Sequence, residues 1–203
     1  MNSPATTSPV SRVMRTVTSI VETVLILVLT ALAIVLHIYQ WPFPPAPFLK
    51  FDLAGVPIAI IALINMRYIS ISAPVFWLGS VLLTTDPTKV VGPTMKIVAE
   101  LATALPLAAT IHILSRRGAS LKTSSIAAFA FALICRVGLM SLLNYLVTPY
   151  WLVWAGWLKS LEAGYSFTTT YLPFIALFNA ITVFYVAPLS ISIWASLKRL
   201  RIT

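Results

Sequence analysis

A single cysteine, Cys135, lies within an apolar run. No disulfide within the chain and no cysteine-based metal cluster is possible, so the residue reads as a buried thiol. Acidic residues are scarce as well. Five Asp/Glu stand against 14 Lys/Arg, and only 9% of the residues are charged, where soluble domains carry about a quarter. Catalytic patterns are also missing. His37 and His112 are the only histidines, and neither has a carboxylate at ligand spacing along the chain. There is no H-E-x-x-H, no G-x-S-x-G and no glycine-rich phosphate loop. These absences argue against an enzyme and against a metal site. The sequence also shows no internal repeat, which argues against a secondary transporter built from inverted halves.

Apolar residues make up 59% of the 203 residues, with a mean hydropathy of +0.94. Such a surface can be hidden in lipid but not from water. The net charge of +9 would suggest nucleic acid in a soluble protein. Here the basic residues flank apolar runs, so they read as orientation signals and no nucleic-acid partner is expected. Arg12 and Arg15 precede an apolar stretch containing Ala31-Leu32-Ala33, a possible signal-peptidase box. The run continues to Tyr39, long enough to cross a bilayer, and reads as a retained helix.

The pattern predicts an all-α integral membrane protein: a disordered tail over 1–11 and one six-helix membrane domain over 12–203. The six transmembrane helices fall at about 17–39, 53–68, 72–85, 93–114, 123–147 and 168–197. Pro42, Pro44, Pro45 and Pro47 break the chain after the first helix. Asp86-Pro87 and Gly92-Pro93 bracket a tight linker. Thr148-Pro149 is expected to end the fifth helix, and the aromatic stretch 150–167 to lie at the interface as a loop or short helix. With six spans, one side holds Arg12, Arg15, Arg67, Arg116, Arg117, Lys122, Lys198, Arg199 and Arg201. The other holds Lys50, Lys89, Lys96 and Lys159. That asymmetry predicts cytoplasmic N and C termini in a multi-pass protein of the cell membrane.

Four polar residues fall at membrane depth: Glu100, Arg136, Asn144 and Asn179. Each needs a partner or a wet cavity. A Glu100–Arg136 pair reads best as helix–helix glue. Asn144, beside Tyr145 and below Tyr150, reads best as a ligand contact. The segment Phe48-Leu49-Lys50-Phe51-Asp52 places a Lys/Asp pair among aromatics at the head of the second helix, where Asp52 can also act as a cap.

Pro47-Phe48-Leu49-Lys50-Phe51-Asp52 followed by Val56-Pro57 resembles the first-loop signature of the S components of energy-coupling factor transporters, specifically the riboflavin-binding type. Gly92-Pro93 with Met95 resembles the start of that family's fourth helix. Leu143-Asn144-Tyr145 with Pro149-Tyr150 resembles the end of its fifth, and Tyr171-Leu172-Pro173-Phe174 the start of its sixth. The likeness spans about 17–201. It implies a vitamin-binding membrane subunit, capped by its first loop, with riboflavin as the transported ligand and no resident cofactor. The implied partners are a membrane-embedded coupling subunit and two cytoplasmic ATPase subunits. Another water-soluble vitamin or precursor, or a multipass membrane enzyme or structural protein, are the alternatives. Polar positions that riboflavin-type chains often carry in the sixth helix are Ile175 and Phe178 here, with Asn179 one step later. A pocket in the outer half of the bundle would be walled by Phe48, Leu49, Tyr145, Tyr150 and Phe174. Lys50, Asp52, Met95, Lys96, Asn144 and Asn179 complete the expected set.

Overall fold

The structure, a computed structural model, describes residues 9–85 and 88–200, with side chains from residue 20 onward. Six α-helices are joined by one two-stranded antiparallel hairpin: α1 Pro9–Ile38, β1 Trp41–Phe43, β2 Ala46–Phe51, α2 Gly55–Ile64, α3 Ile69–Leu83, α4 Val91–Arg116, α5 Leu121–Trp154 and α6 Leu161–Arg199. Among the described residues, five segments are long and apolar enough to cross a membrane: Ile20–Ile38, Met66–Leu83, Val91–Arg116, Leu121–Trp154 and Leu161–Arg199. The chain is therefore an all-α, multi-pass membrane protein. Its outward side chains agree, since Leu82 is 77% exposed, Ile134 70% and Phe184 61%, a surface that suits hydrocarbon.

The remaining helix, α2, sits at the centre. Its residues Gly55 to Leu63 are all buried, packed among α1, α4 and α6. The sequence GVPIAIIALI has no charged or polar side chain and is apolar all round, as a helix covered on every side must be. Its 10 residues rise only about 15 Å, half of a roughly 30 Å hydrocarbon layer. Asn65 breaks it: the residue is extended, and its side-chain oxygen accepts from the Arg67 N–H at the start of a 3₁₀ turn, Met66–Tyr68. The expected second helix over 53–68 is thus two shorter pieces.

Three other expectations are corrected. The first helix begins at Pro9 rather than near 17, so 9–11 are helical; residues 1–8 of the expected tail, and Asp86-Pro87 of the expected linker, lie outside the described residues. The prolines after the first helix do break it, but they lie within a β-hairpin, Pro42 and Pro47 in its strands and Pro44 and Pro45 at its turn, in which Trp41 pairs with Phe51 and Pro42 with Lys50. A two-stranded ribbon has an unpaired edge on each strand, where a proline costs no ladder bond.

The fifth helix does not stop at Thr148-Pro149 but runs on to Trp154, and the sixth starts at Leu161 rather than near 168. Most of the supposed interfacial stretch is therefore helix. Pro149 lies inside α5, and α6 passes close against it at a glycine. A Cβ on Gly164 would stand 2.9 Å from the Pro149 carbonyl oxygen and 3.0 Å from its Cα, so neither backbone can give way.

Gly164→Ala is expected to destabilise the protein by about 1–3 kcal/mol through this overpacking. Gly138 has open space around it, so Gly138→Ala should be neutral or stabilise by up to about 1 kcal/mol through helix propensity. Thermal unfolding of the two variants in detergent compares them.

Candidate functional site

The first turns of α4 set the site. Lys96, Glu100 and Thr103 recur at helical spacing and so share one face of the helix. Lys96 Nζ lies 2.7 Å from Glu100 Oε1 and 2.8 Å from Asp52 Oδ1. Asp52, directly after β2, is 2% exposed, and its other oxygen meets His37 Nδ1 of α1 at 2.8 Å. Arg136 of α5 is 1% exposed. It donates from Nη1 to Glu100 Oε2 at 3.1 Å and to Thr103 Oγ1 at 2.9 Å, and from Nε to Asn179 Oδ1 of α6 at 3.1 Å. Asn179 is held in turn by donating to the Ile175 carbonyl at 2.8 Å. The result is a buried chain of alternating charge, Asp52–Lys96–Glu100–Arg136, that ties the hairpin to α1, α4, α5 and α6.

Backbone contacts lock the same region. Asp52 Oδ1 also accepts from the Ala54 N–H at 3.0 Å, and Tyr185 of α6 donates to the Asp52 carbonyl at 2.7 Å. Asp52 therefore holds the Ala54 N–H just ahead of α2 while its carboxylate also pairs with Lys96; the N-cap position itself is Ala54. Burial works against its charge, but the Lys96 ammonium and the hydrogen bonds from His37 and Lys96 outweigh it and hold the carboxyl well below the usual carboxylate range. Gly55 begins α2 directly against Glu100, where a Cβ would collide with Oε2. Only glycine lets the helix approach the carboxylate this closely.

Aromatic rings close the hairpin over this chain. Phe51 stacks on Phe178 at 4.6 Å between centroids, and Phe43 meets both at 5.5 and 5.9 Å. Phe178 thus packs the hairpin against α6. Farther out on the hairpin, Phe48 sits 5.5 Å from Phe167 and 5.2 Å from Tyr171, and Tyr171 sits 6.1 Å from Phe174.

Of the residues named from the sequence, Asp52, Lys96 and Asn179 converge on the charge chain. Phe48 and Phe174 join one aromatic row, while Tyr145 and Tyr150 flank Tyr165 at 5.6 and 6.3 Å in another. Leu49 and Met95 are half-buried, and Lys50 is exposed. Asn144 turns inward on its own helix, donating to the Met140 carbonyl at 2.8 Å and accepting from Thr148 at 3.1 Å. Sequence reasoning missed His37, Tyr185 and Phe178 as parts of the arrangement. The histidine had no acidic neighbour in the sequence, and its partner is brought in by the hairpin.

No protein-family model matches the chain, and the search of curated proteins finds no match.

Removing either member of the Glu100–Arg136 pair leaves the buried cluster of two carboxylates and two cations with one unbalanced charge. Arg136→Gln or Glu100→Gln alone should lower stability by about 3–5 kcal/mol. The double variant should lose less than the sum, by about 0.5–3 kcal/mol. Unfolding midpoints of the four proteins of this cycle measure the coupling, and strict additivity would contradict it.

Proposed function

We propose that this chain is the substrate-binding membrane subunit, or S component, of an energy-coupling factor vitamin transporter, with riboflavin as its first ligand. The observation that carries the reading is the hairpin latched into the bundle by Asp52. It is a small lid held by one ionic anchor and a few ring contacts, set over polar groups from α4, α5 and α6. A lid that rests on replaceable hydrogen bonds suits a ligand that brings hydrogen bonds of its own. The resemblance of the segment 47–57 to the family's first loop supports the same assignment.

Charge balance narrows the ligand. Two carboxylates, Asp52 and Glu100, face two cations, Lys96 and Arg136, so the cluster offers no spare cation to an anionic ligand. A neutral molecule with a hydrogen-bonding ring edge and a hydroxylated tail fits better than its phosphate ester. The aromatic rows give a flat ring apolar walls. In this reading α2 is a short central segment of a six-span unit in the cell membrane. Both termini are cytoplasmic, and a coupling subunit and two ATPase subunits supply the energy.

Riboflavin fluorescence should be quenched on titration with the purified protein. Lys96→Met should weaken binding by roughly 5- to 150-fold, the worth of one buried hydrogen bond, whereas Lys159→Met, exposed at the α5–α6 turn, should not. Displacement by thiamine or biotin alone would move the assignment to another vitamin. Absence of binding to every vitamin tried would end it.

Orientation has its own check. In a Cys135→Ser background, Pro45→Cys at the hairpin tip should react with an impermeant thiol reagent in intact cells. Arg117→Cys, at the opposite end, should react only after lysis. The inverse pattern would place the termini outside.

A further inference from the structure

At the end of the bundle opposite the hairpin, the α2 break faces the last turn of α4. A groove of about 450 Å³ lies between them, with Asn65, Arg67, His112 and Arg116 as its polar lining and Met66 and Ile113 among its apolar lining. Arg67 and Arg116 are exposed. Among the described residues neither guanidinium has a carboxylate within ion-pair distance, in contrast to Lys96 and Arg136. Met66 is 39% exposed and Ile113 51%, so the basic groups stand beside open apolar surface. The groove lies where α4 leaves its apolar span and α3 begins one, the depth at which lipid headgroups meet the hydrocarbon layer.

We propose that this groove binds the phosphate headgroup of an anionic phospholipid, with the acyl chains running down beside Met66 and Ile113. The charge complementarity is direct. Two arginine forks match phosphate oxygens, His112 adds a ring nitrogen, and the Asn65 amide adds a neutral donor. Arg116 alone would be an ordinary helix C-terminal cation. Arg67, however, comes from a separate element across the groove, and an apolar floor beside paired arginines suits a lipid better than a solvated ion. The inference needs only the membrane-spanning fold and is independent of the vitamin assignment.

The test is native mass spectrometry of the full chain in neutral detergent, titrated with phosphatidylglycerol or phosphatidylcholine. Phosphatidylglycerol should bind more tightly. The Arg67→Gln/Arg116→Gln variant should lose roughly 25-fold, about 5-fold per arginine, while its melting midpoint without lipid stays that of the wild type. Arg117→Gln/Lys122→Gln, basic at the same end but outside the groove lining, should bind as the wild type does. Equal affinity for both lipids, or equal losses in the two double variants, would overturn a specific site. Full competition by inorganic phosphate would replace the lipid with a soluble anion and overturn the proposal as well.

Discussion

The ion pair between Glu100 and Arg136 is the constraint from which the rest of the arrangement follows. Both side chains are 1% exposed, in helices whose surroundings are otherwise apolar. An unpaired ion there would carry several kcal/mol of desolvation, so each must be met by the other with good geometry. That requirement fixes α4 against α5. The second guanidinium direction then reaches Asn179 and fixes α6, and the second carboxylate oxygen of Glu100 reaches Lys96. Lys96 is itself stabilised by Asp52, which belongs to the hairpin connection. One buried charge thus propagates a demand for partners through five elements. The small size of Gly55 follows as well, because α2 must close against the carboxylate without displacing it.

The hairpin is bound by two kinds of contact with different physics. Beneath it, Asp52 makes directional bonds in a dry site, strong but replaceable by any group offering equivalent donors and acceptors. Above it, Phe43 and Phe51 pack on Phe178 without direction, and any apolar surface can substitute. A flat molecule with a polar edge combines both properties. Adjacent residues of α6 serve the two kinds of contact: the Phe178 ring packs against the hairpin, while Asn179, one residue on, turns to Arg136.

The long apolar runs made the membrane class readable from the sequence. Lipid imposes a composition rule over 18 or more residues that few other environments share. Boundaries were less readable wherever proline was taken at face value. Pro149 should end a helix by local rules, yet α5 continues through it to Trp154, and the proline packs against Gly164 of α6. The hairpin was hidden because four prolines between 42 and 47 mask the alternation that marks strands. Among site residues, the Lys96–Glu100 spacing could be read along one helix face, and the Glu100–Arg136 pair followed from the need to neutralise buried charge. The contacts of Asp52 with His37, Lys96 and Tyr185 span 15, 44 and 133 residues. No local pattern carries that information. The partners of Asn144 are local instead, because an amide in a helix can satisfy itself on its own backbone and on a threonine one turn later.

The two ends of the bundle treat charge in opposite ways, and the dielectric environment accounts for both. At the hairpin end, Lys96 and Arg136 lie below the surface and are neutralised by carboxylates at 2.7 to 3.1 Å. At the other end, Arg67 and Arg116 have no such partner among the described residues, and Arg117, Lys122, Lys198 and Arg199 add further positive charge. A cation at the end of a span keeps its hydration or exchanges it for a headgroup phosphate, so it needs no acid from the protein. The scarcity of acidic residues then has a physical meaning. Two of the five acidic residues, Asp52 and Glu100, answer the buried cations Lys96 and Arg136. A carboxylate added beside the exposed Arg67 would gain little, because an ion pair in water stabilises weakly, whereas the carboxylates at Lys96 and Arg136 are indispensable.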